Sequence, residues 1–206
     1  MKITAIHGFL GLPADWTFLA PHFEVETPDP GSIPGRGDIL LGYSMGGRLA
    51  LHALLNGAIY RRVVIVSSGL GVEGEDARRA RREADEDWAR MFESAPWDEA
   101  VSRWNGQPVL RDSHDLARNE TDFARYELVR QLREWSPAVL PPIASRLHEI
   151  EIPILWIAGE RDQKYVEEGR RAVSLLPDAE LWICPAAGHR VPWDQPGLFA
   201  ARLQAL

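Results

Sequence analysis

Ile39-Leu40-Leu41-Gly42-Tyr43-Ser44-Met45-Gly46-Gly47-Arg48-Leu49-Ala50-Leu51-His52-Ala53-Leu54-Leu55 decides the architecture of this 206-residue chain. An apolar run enters a G-x-S-x-G turn, and a helical pattern leaves it. So sharp a reversal leaves no room for bulky neighbours, which accounts for Gly42 and Gly46 on either side of Ser44. This is the pattern of a nucleophile elbow. The turn lifts the Ser44 hydroxyl to the top of a sheet and aims the Met45 backbone N–H, at a helix N-terminus, toward a developing oxyanion.

Short β-rich runs recur on both sides of the elbow: 3–6, 23–27, 39–41, 63–66, 154–157 and 181–183. Several are almost continuously apolar, as expected of parallel strands covered on both faces. Helical patterns at 45–56, 165–175 and 195–205 alternate with them and predict an α/β, mostly parallel, doubly wound sheet. From about Gly71 to Leu147 the rhythm breaks, with helices expected at 76–94, 97–104, 112–118, 121–135 and 142–148. The expected division is a core of 1–70 and 148–206, interrupted by a helical cap of 71–147.

At 45% hydrophobic residues the chain can bury one substantial core, and a net charge of −7 argues against nucleic acid as a partner. No apolar run approaches the ~20 residues of a membrane span, and Met1-Lys2-Ile3-Thr4-Ala5 enters a strand without a targeting segment. A single cysteine, Cys184, fits a reducing cytoplasm and reads as a small buried hydrophobe. Lys2 and Lys164 are the only lysines among 23 basic residues. That bias fits either genomic base composition or recognition of carboxylates, which arginine binds bidentately.

A serine hydroxyl needs an imidazole to take its proton and a carboxylate to orient that imidazole. Sheets of this type place them in the chain order Ser, Asp/Glu, His. Among six histidines, His189 follows a strand and the tight segment Pro185-Ala186-Ala187-Gly188, late in the chain. Asp162, just beyond strand 154–157, is the acid, with Glu160 as a loop charge and Asp194 in a local turn. His7-Gly8-Phe9-Leu10-Gly11 follows the first strand, and the Phe9 N–H is expected to pair with that of Met45 as an oxyanion hole. His7 is expected to brace that loop. No metal-ligand spacing is present, Gly69-Leu70-Gly71-Val72-Glu73-Gly74 lacks the βαβ setting of a nucleotide loop, and no cofactor is expected.

These residues resemble the α/β-hydrolase superfamily across nearly the whole chain. More narrowly, Gly42-Tyr43-Ser44-Met45-Gly46-Gly47-Arg48, Ser68-Gly69-Leu70, Asp87-Trp88-Ala89, Trp104 with Gln107-Pro108-Val109, and Gly159-Glu160-Arg161-Asp162-Gln163-Lys164-Tyr165 are similar to the 2-succinyl-6-hydroxy-2,4-cyclohexadiene-1-carboxylate synthases of menaquinone biosynthesis. The resemblance implies a lyase in which the triad deprotonates a polycarboxylate and pyruvate leaves without addition of water. It implies Ser44, Asp162 and His189 as the triad, and Tyr43, Arg48, Arg81 and Trp104 as substrate contacts. A third arginine falls on Arg118, with Arg111 as competitor.

Read from the residues alone, Arg48 fits an anion near Ser44 or a structural salt bridge, and Arg81–Asp85 and Arg82–Glu86 fit a solvated helix face. Trp88 and Trp104 fit cap core. The chain departs from the family pattern in a trimmed N-terminus and in residues 28–38, whose three prolines and three glycines exclude the usual helix. One sheet face is therefore expected to be less covered, which a homodimer would bury. A serine carboxylesterase working through an acyl-enzyme is the alternative function. A catalytically dead scaffold is a third, opposed by the intact Ser44, Asp162 and His189.

Overall fold

A computed structural model describes residues 1–206. Six strands, β1 (Lys2–Ile6), β2 (Glu24–Glu26), β3 (Arg36–Tyr43), β4 (Ile59–Val66), β5 (Ile154–Gly159) and β6 (Ala179–Cys184), form one sheet in the order β2-β1-β3-β4-β5-β6. Every pairing is parallel. β3 and β4 extend further toward their N-termini than the apolar runs predict, through Arg36↔Ile59 and Gly37↔Tyr60. Those ends carry charged and exposed residues that hydrophobicity does not mark.

The period of two along each strand sorts the core into two layers. Ile39, Leu41, Val64, Val66, Leu155 and Ile157 face one side, beneath Trp16 and Leu19 of a 3-10 turn and Val191, Phe199 and Leu203 of α6 (Val191–Asp194) and α7 (Pro196–Gln204). Leu40, Val63, Ile65, Ile154 and Trp156 face the other, beneath α1 (Met45–Leu55) and α5 (Gln163–Leu175). Residues 28–35 form no helix; Ile33 packs on the second layer, and the buried Tyr60 hydroxyl donates to the Pro34 carbonyl at 2.7 Å. Of the six exposed large apolar side chains, Ile59, Tyr126, Leu175 and Leu198 lie on β4 and three different helices, and Met1 and Val139 lie outside the regular elements. No helix is long and apolar enough to cross a membrane.

Between β4 and β5 come α2 (Glu75–Ser94), α3 (Trp97–Asn105) and α4 (Arg125–Glu134), with a core of their own around Phe92, Trp97, Leu128 and Leu132. The helix expected at 112–118 is absent. Its polar groups dock on a neighbouring loop instead of closing helical turns: Arg190 N–H donates to Ser113 Oγ at 3.0 Å, and His114 N–H donates to Asp194 Oδ1 at 2.6 Å. The helix expected from 121 begins only at Arg125. Phe123 is extended there, with its ring 5.3 Å from that of Trp97. The helix expected at 142–148 is absent, and residues 144–149 form a 3-10 turn.

Candidate active site

The strand order changes direction between β1 and β3, so a crevice opens at their carboxyl ends, where open α/β sheets place functional groups. Ser44 stands there with φ 52° and ψ −113°, a backbone conformation that side-chain-bearing residues rarely adopt. Its N–H donates to Val66 O at 2.8 Å, and Ser68 Oγ donates to its carbonyl at 2.9 Å, holding the strained residue from both ends. A Cβ on Gly46 would lie 2.4 Å from Ile6 O, and one on Gly42 would lie 2.6 Å from Gly46 O. The glycines of the motif are therefore required by backbone proximity.

His189 joins Ser44 across 145 residues of chain, with Nε2 3.1 Å from Oγ. Its Nδ1 lies 2.7 Å from Asp162 Oδ2. Both contacts are satisfied when Nδ1–H donates to the carboxylate and the Ser44 hydroxyl donates to Nε2. His189 and Asp162 are buried. Asp162 heads α5, and the loops beyond β5 and β6 are bound together by Glu160 N–H to Cys184 O and Arg161 N–H to Ala187 O, each at 2.9 Å. The competitors are occupied otherwise: Glu160 accepts the Ala186 N–H at 2.9 Å, and Asp194 accepts those of Gly188 and His114.

The Phe9 and Met45 N–H groups have no acceptor within the chain, and both residues line the cavity over Ser44. His7 Nδ1 lies 2.7 Å from Gly8 O, and its ring fills the space a Cβ on Gly11 would need. Burial lowers the pKa of His7, which favours the neutral ring in that bracing position.

The cavity has a volume of about 350 Å³, and Tyr43, Arg48, Arg81, Trp104 and Arg118 all border it. Their electrostatic situations differ. Arg48 is buried, has no carboxylate partner, donates Nη2 to the Trp135 carbonyl at 2.5 Å, and leaves Nε without an acceptor. The structural salt bridge that would explain it is absent. Burial, with smaller help from the neighbouring Arg81, lowers its pKa to about 10. Arg81 donates Nε to both oxygens of buried Asp85 at 2.9 Å, and its two Nη groups make no hydrogen bond within the chain. Arg118 is clasped bidentately by Asp15. Arg111 does not border the cavity.

The solvated face expected on α2 is interrupted at one buried residue, and its second expected ion pair has other partners. Asp85 is buried and accepts the Ser136 hydroxyl at 2.6 Å, and Arg82 pairs with Glu75 while Glu86 pairs with Arg133. Trp104 borders the cavity and packs 4.4 Å from the Phe9 ring and 5.0 Å from that of Trp88. Burial raises the pKa of the Tyr43 phenol, and its ring stands edge-on to Trp193 at 4.8 Å.

Sequence reasoning missed Gln131, Tyr165, Arg190 and Trp193 on the cavity wall. Tyr165 follows Asp162 by three residues and its ring lies 4.6 Å from that of His189. Arg190 adjoins His189 in the chain. Gln131 is a polar residue on the buried face of α4, beside Leu128 and Leu132, and that break in pattern was the available signal.

The profile of the alpha/beta hydrolase family matches residues 6–202. A 2-succinyl-6-hydroxy-2,4-cyclohexadiene-1-carboxylate synthase of Escherichia coli O7:K1 is 31% identical over 174 residues, spanning 81% of this chain and 67% of the relative. The synthase of Escherichia coli O157:H7 is 28% identical over 236 aligned positions, spanning 98% and 92%. Among solved structures, MenH from S. aureus superposes with a TM-score of 0.88 at 22% identity, over 100% of this chain and 92% of that one. Est816, described as an N-acyl homoserine lactone degrading enzyme, reaches 0.66 at 21% identity, over 100% and 93%. The chain belongs to the alpha/beta hydrolase family.

Proposed function

We propose that this chain is a menaquinone-pathway lyase that removes a ring proton from an anionic cyclohexene polycarboxylate and expels pyruvate, leaving 2-succinyl-6-hydroxy-2,4-cyclohexadiene-1-carboxylate. The observation that carries the reading is Arg48, a buried guanidinium without a carboxylate, on the wall of the cavity one helical turn beyond Ser44. Its desolvation is offset when a substrate carboxylate binds. Hydrolysis of neutral esters has no use for such a group. The names of the E. coli relatives support the same reading.

The product name locates the chemistry. Its diene starts at the ring carbon bearing the succinyl ketone, so the proton removed is α to that ketone and charge develops on the ketone oxygen. Ser44 Oγ takes this proton as its own passes to His189 Nε2, and Asp162 stabilises the imidazolium. The Phe9 and Met45 N–H groups receive the oxyanion, which accounts for their lack of partners inside the protein. The electron pair then moves through the ring, the second double bond forms, the bond to the enolpyruvyl oxygen breaks, and the departing enolpyruvate takes up a proton, equivalent to the one held on His189, and ketonises to pyruvate. Arg48 and the free edge of Arg81 hold carboxylates clear of the reacting carbon.

Pyruvate release, coupled to lactate dehydrogenase, tests the proposal. Wild-type enzyme yields pyruvate, and Ser44→Ala loses at least about 10²–10⁴-fold of the rate. No pyruvate from pure wild-type enzyme at any substrate level would overturn it. A burst of p-nitrophenol from short-chain esters with covalent labelling of Ser44 would establish the esterase instead.

A further inference from the structure

The peptide that carries the Phe9 N–H is held from two sides. Gly8 to Gly11 form a β-turn closed by Gly11 N–H donating to Gly8 O at 3.0 Å. His7 Nδ1 lies 2.7 Å from the same carbonyl, and its Nδ1–H tautomer donates there. The Gly8–Phe9 peptide is trans, so its N–H points away from the carbonyl that these two bonds hold. A Cβ on Gly8 would lie 3.3 Å from Ser44 Cβ, which puts this end of the turn beside Ser44.

The third residue of the turn goes against backbone preference. Leu10 has φ 56° and Phe9 a negative φ, a turn form that favours glycine or asparagine at the third position. Leu10 is 5% exposed and belongs to the apolar core of the helical insertion. The other buried members of that core come from α2, α3 and α4, among them Phe92, Trp97, Leu128 and Leu132. Phe9 follows it there, with its ring 5.2 Å from that of Phe92 and 4.4 Å from that of Trp104. Glycine would suit the backbone and lose this anchor; leucine keeps the anchor at the expense of the backbone. The base of the turn rests on the sheet, its tip lies in the insertion, and the Phe9 N–H stands between them.

We propose that Leu10 is a positioning residue: seated in the core of α2, α3 and α4, it sets the Phe9 N–H against Ser44 and makes the oxyanion hole depend on the docked insertion. The proposal rests on the reading of Phe9 and Met45 as the oxyanion donors. Met45 heads α1 in the sheet domain, so its N–H has no need of that support. Leu10 takes no part in the proton transfer. Its effect falls on the developing oxyanion, and so on kcat more than on KM.

Leu10→Ala removes the anchor, and Leu10→Met keeps an apolar side chain of similar volume. Phe92→Leu loosens the seat from a position that does not border the cavity. Two measurements report on the hole: kcat and KM for pyruvate release, and affinity for phenylboronic acid. Ser44 Oγ adds to boron as its proton passes to His189, and an oxygen of the tetrahedral boronate anion occupies the oxyanion position. Ser44→Ala is the control and should abolish that binding. Each variant is measured below its melting transition.

For Leu10→Ala and Phe92→Leu the expected results are kcat and boronate affinity each at least about tenfold lower, with KM within about threefold. Leu10→Met should stay within about threefold of wild type in all three. Unchanged kcat and boronate affinity in Leu10→Ala, whatever its melting temperature, reduce Leu10 to packing and overturn the proposal. A raised KM at constant kcat in Phe92→Leu also overturns it, by placing the effect on Trp104. If Leu10→Ala does not fold, Phe92→Leu decides. If wild-type enzyme releases no pyruvate while both variants still lose the boronate, the lyase reading fails and the positioning role stands. Wild-type protein that neither turns over nor binds the boronate overturns both.

Discussion

Arg118 and Asp15, 103 residues apart, close a bidentate ion pair at 3.0 and 2.7 Å with side chains 7% and 8% exposed. Asp15 belongs to the 3-10 turn after β1 and Arg118 to the segment between α3 and α4, so the pair ties the helical insertion to the sheet domain. Removing one partner leaves the other charge unpaired in a largely buried position, at a cost of about 3–5 kcal/mol. Asp15→Ala should lower the urea midpoint accordingly. The double variant Asp15→Leu/Arg118→Met should recover most of the loss, because no lone charge remains. Equal destabilisation of the single and double variants would show that packing, rather than charge, dominates.

The link between Asp162 and His189 fixes the imidazole tautomer that faces Ser44. Asp162→Asn keeps the shape but permits the wrong tautomer, a change that lowers kcat about 10⁴-fold in hydrolase triads. The expectation is a folded protein with circular dichroism like wild type and kcat reduced by that order. Retention of more than a tenth of the activity would remove Asp162 from the mechanism.

Backbone crowding makes two glycines intolerant of change. A Cβ on Gly159 would lie 2.0 Å from Gly188 O, and one on Gly46 would lie 2.4 Å from Ile6 O and 2.5 Å from His7 O. Neither neighbour is a flexible side-chain end, so relief requires movement of the loops that carry Asp162, His189 and Phe9. Gly159→Ala and Gly46→Ala should each cost at least about 1–3 kcal/mol, the range for overpacking. Gly197→Ala, where a Cβ meets nothing within 4 Å, is the control expected to unfold like wild type. Unfolding in urea, followed by fluorescence, compares the three.

Much of this architecture is legible in the sequence because its local signals agree. The run from Ile39 into Gly42-Tyr43-Ser44 and on into Arg48-Leu49-Ala50 specifies strand, turn and helix together, and the chain order of Ser44, Asp162 and His189 follows from the sheet. The illegible parts depend on tertiary partners. Residues 112–115 have polar groups that bond to Arg190 and Asp194, which no local pattern reveals. That Arg118 is neutralised and Arg48 is not depends on where Asp15 lies, and Asp15 is far from both in sequence. Gln131 was visible as a polar residue in an apolar face, but only the packing shows that its amide oxygen is buried without a partner.

Burial lowers the pKa of both His7 and His52, so each binds its proton less readily in the folded than in the unfolded state. The unfolded chain then takes up more protons as pH falls below the ordinary histidine value of about 6.5. The stability these neutral rings contribute is complete above that value and is lost as pH drops through the lowered folded-state pKa values. Urea midpoints should therefore decline from pH 7.5 to pH 5. His7→Gln should flatten the decline, even though it removes the contact with Gly8 O. A slope identical to wild type would assign the acid sensitivity elsewhere.

Asp194 joins the histidine loop to the helical insertion, accepting Gly188 N–H at 2.8 Å and His114 N–H at 2.6 Å. Arg190 adds a second tie, donating Nη1 to His114 O at 2.9 Å and Nη2 to Asn105 Oδ1 at 2.6 Å. His189 lies between these anchors, so its distance to Ser44 depends on how firmly residues 112–115 are docked. Asp194→Ala leaves two backbone donors without their carboxylate, and charge-assisted hydrogen bonds of this type contribute about 1.5–3 kcal/mol each. Amide exchange at His114 should accelerate by at least about tenfold, and kcat should fall while KM changes less, because the loosened group is the proposed base and not the proposed anion site. Faster exchange with unchanged kcat would show that Arg190 alone keeps His189 in place. Arg190→Ala in the Asp194→Ala background then has to lower kcat for the docking of this segment to govern the position of the imidazole.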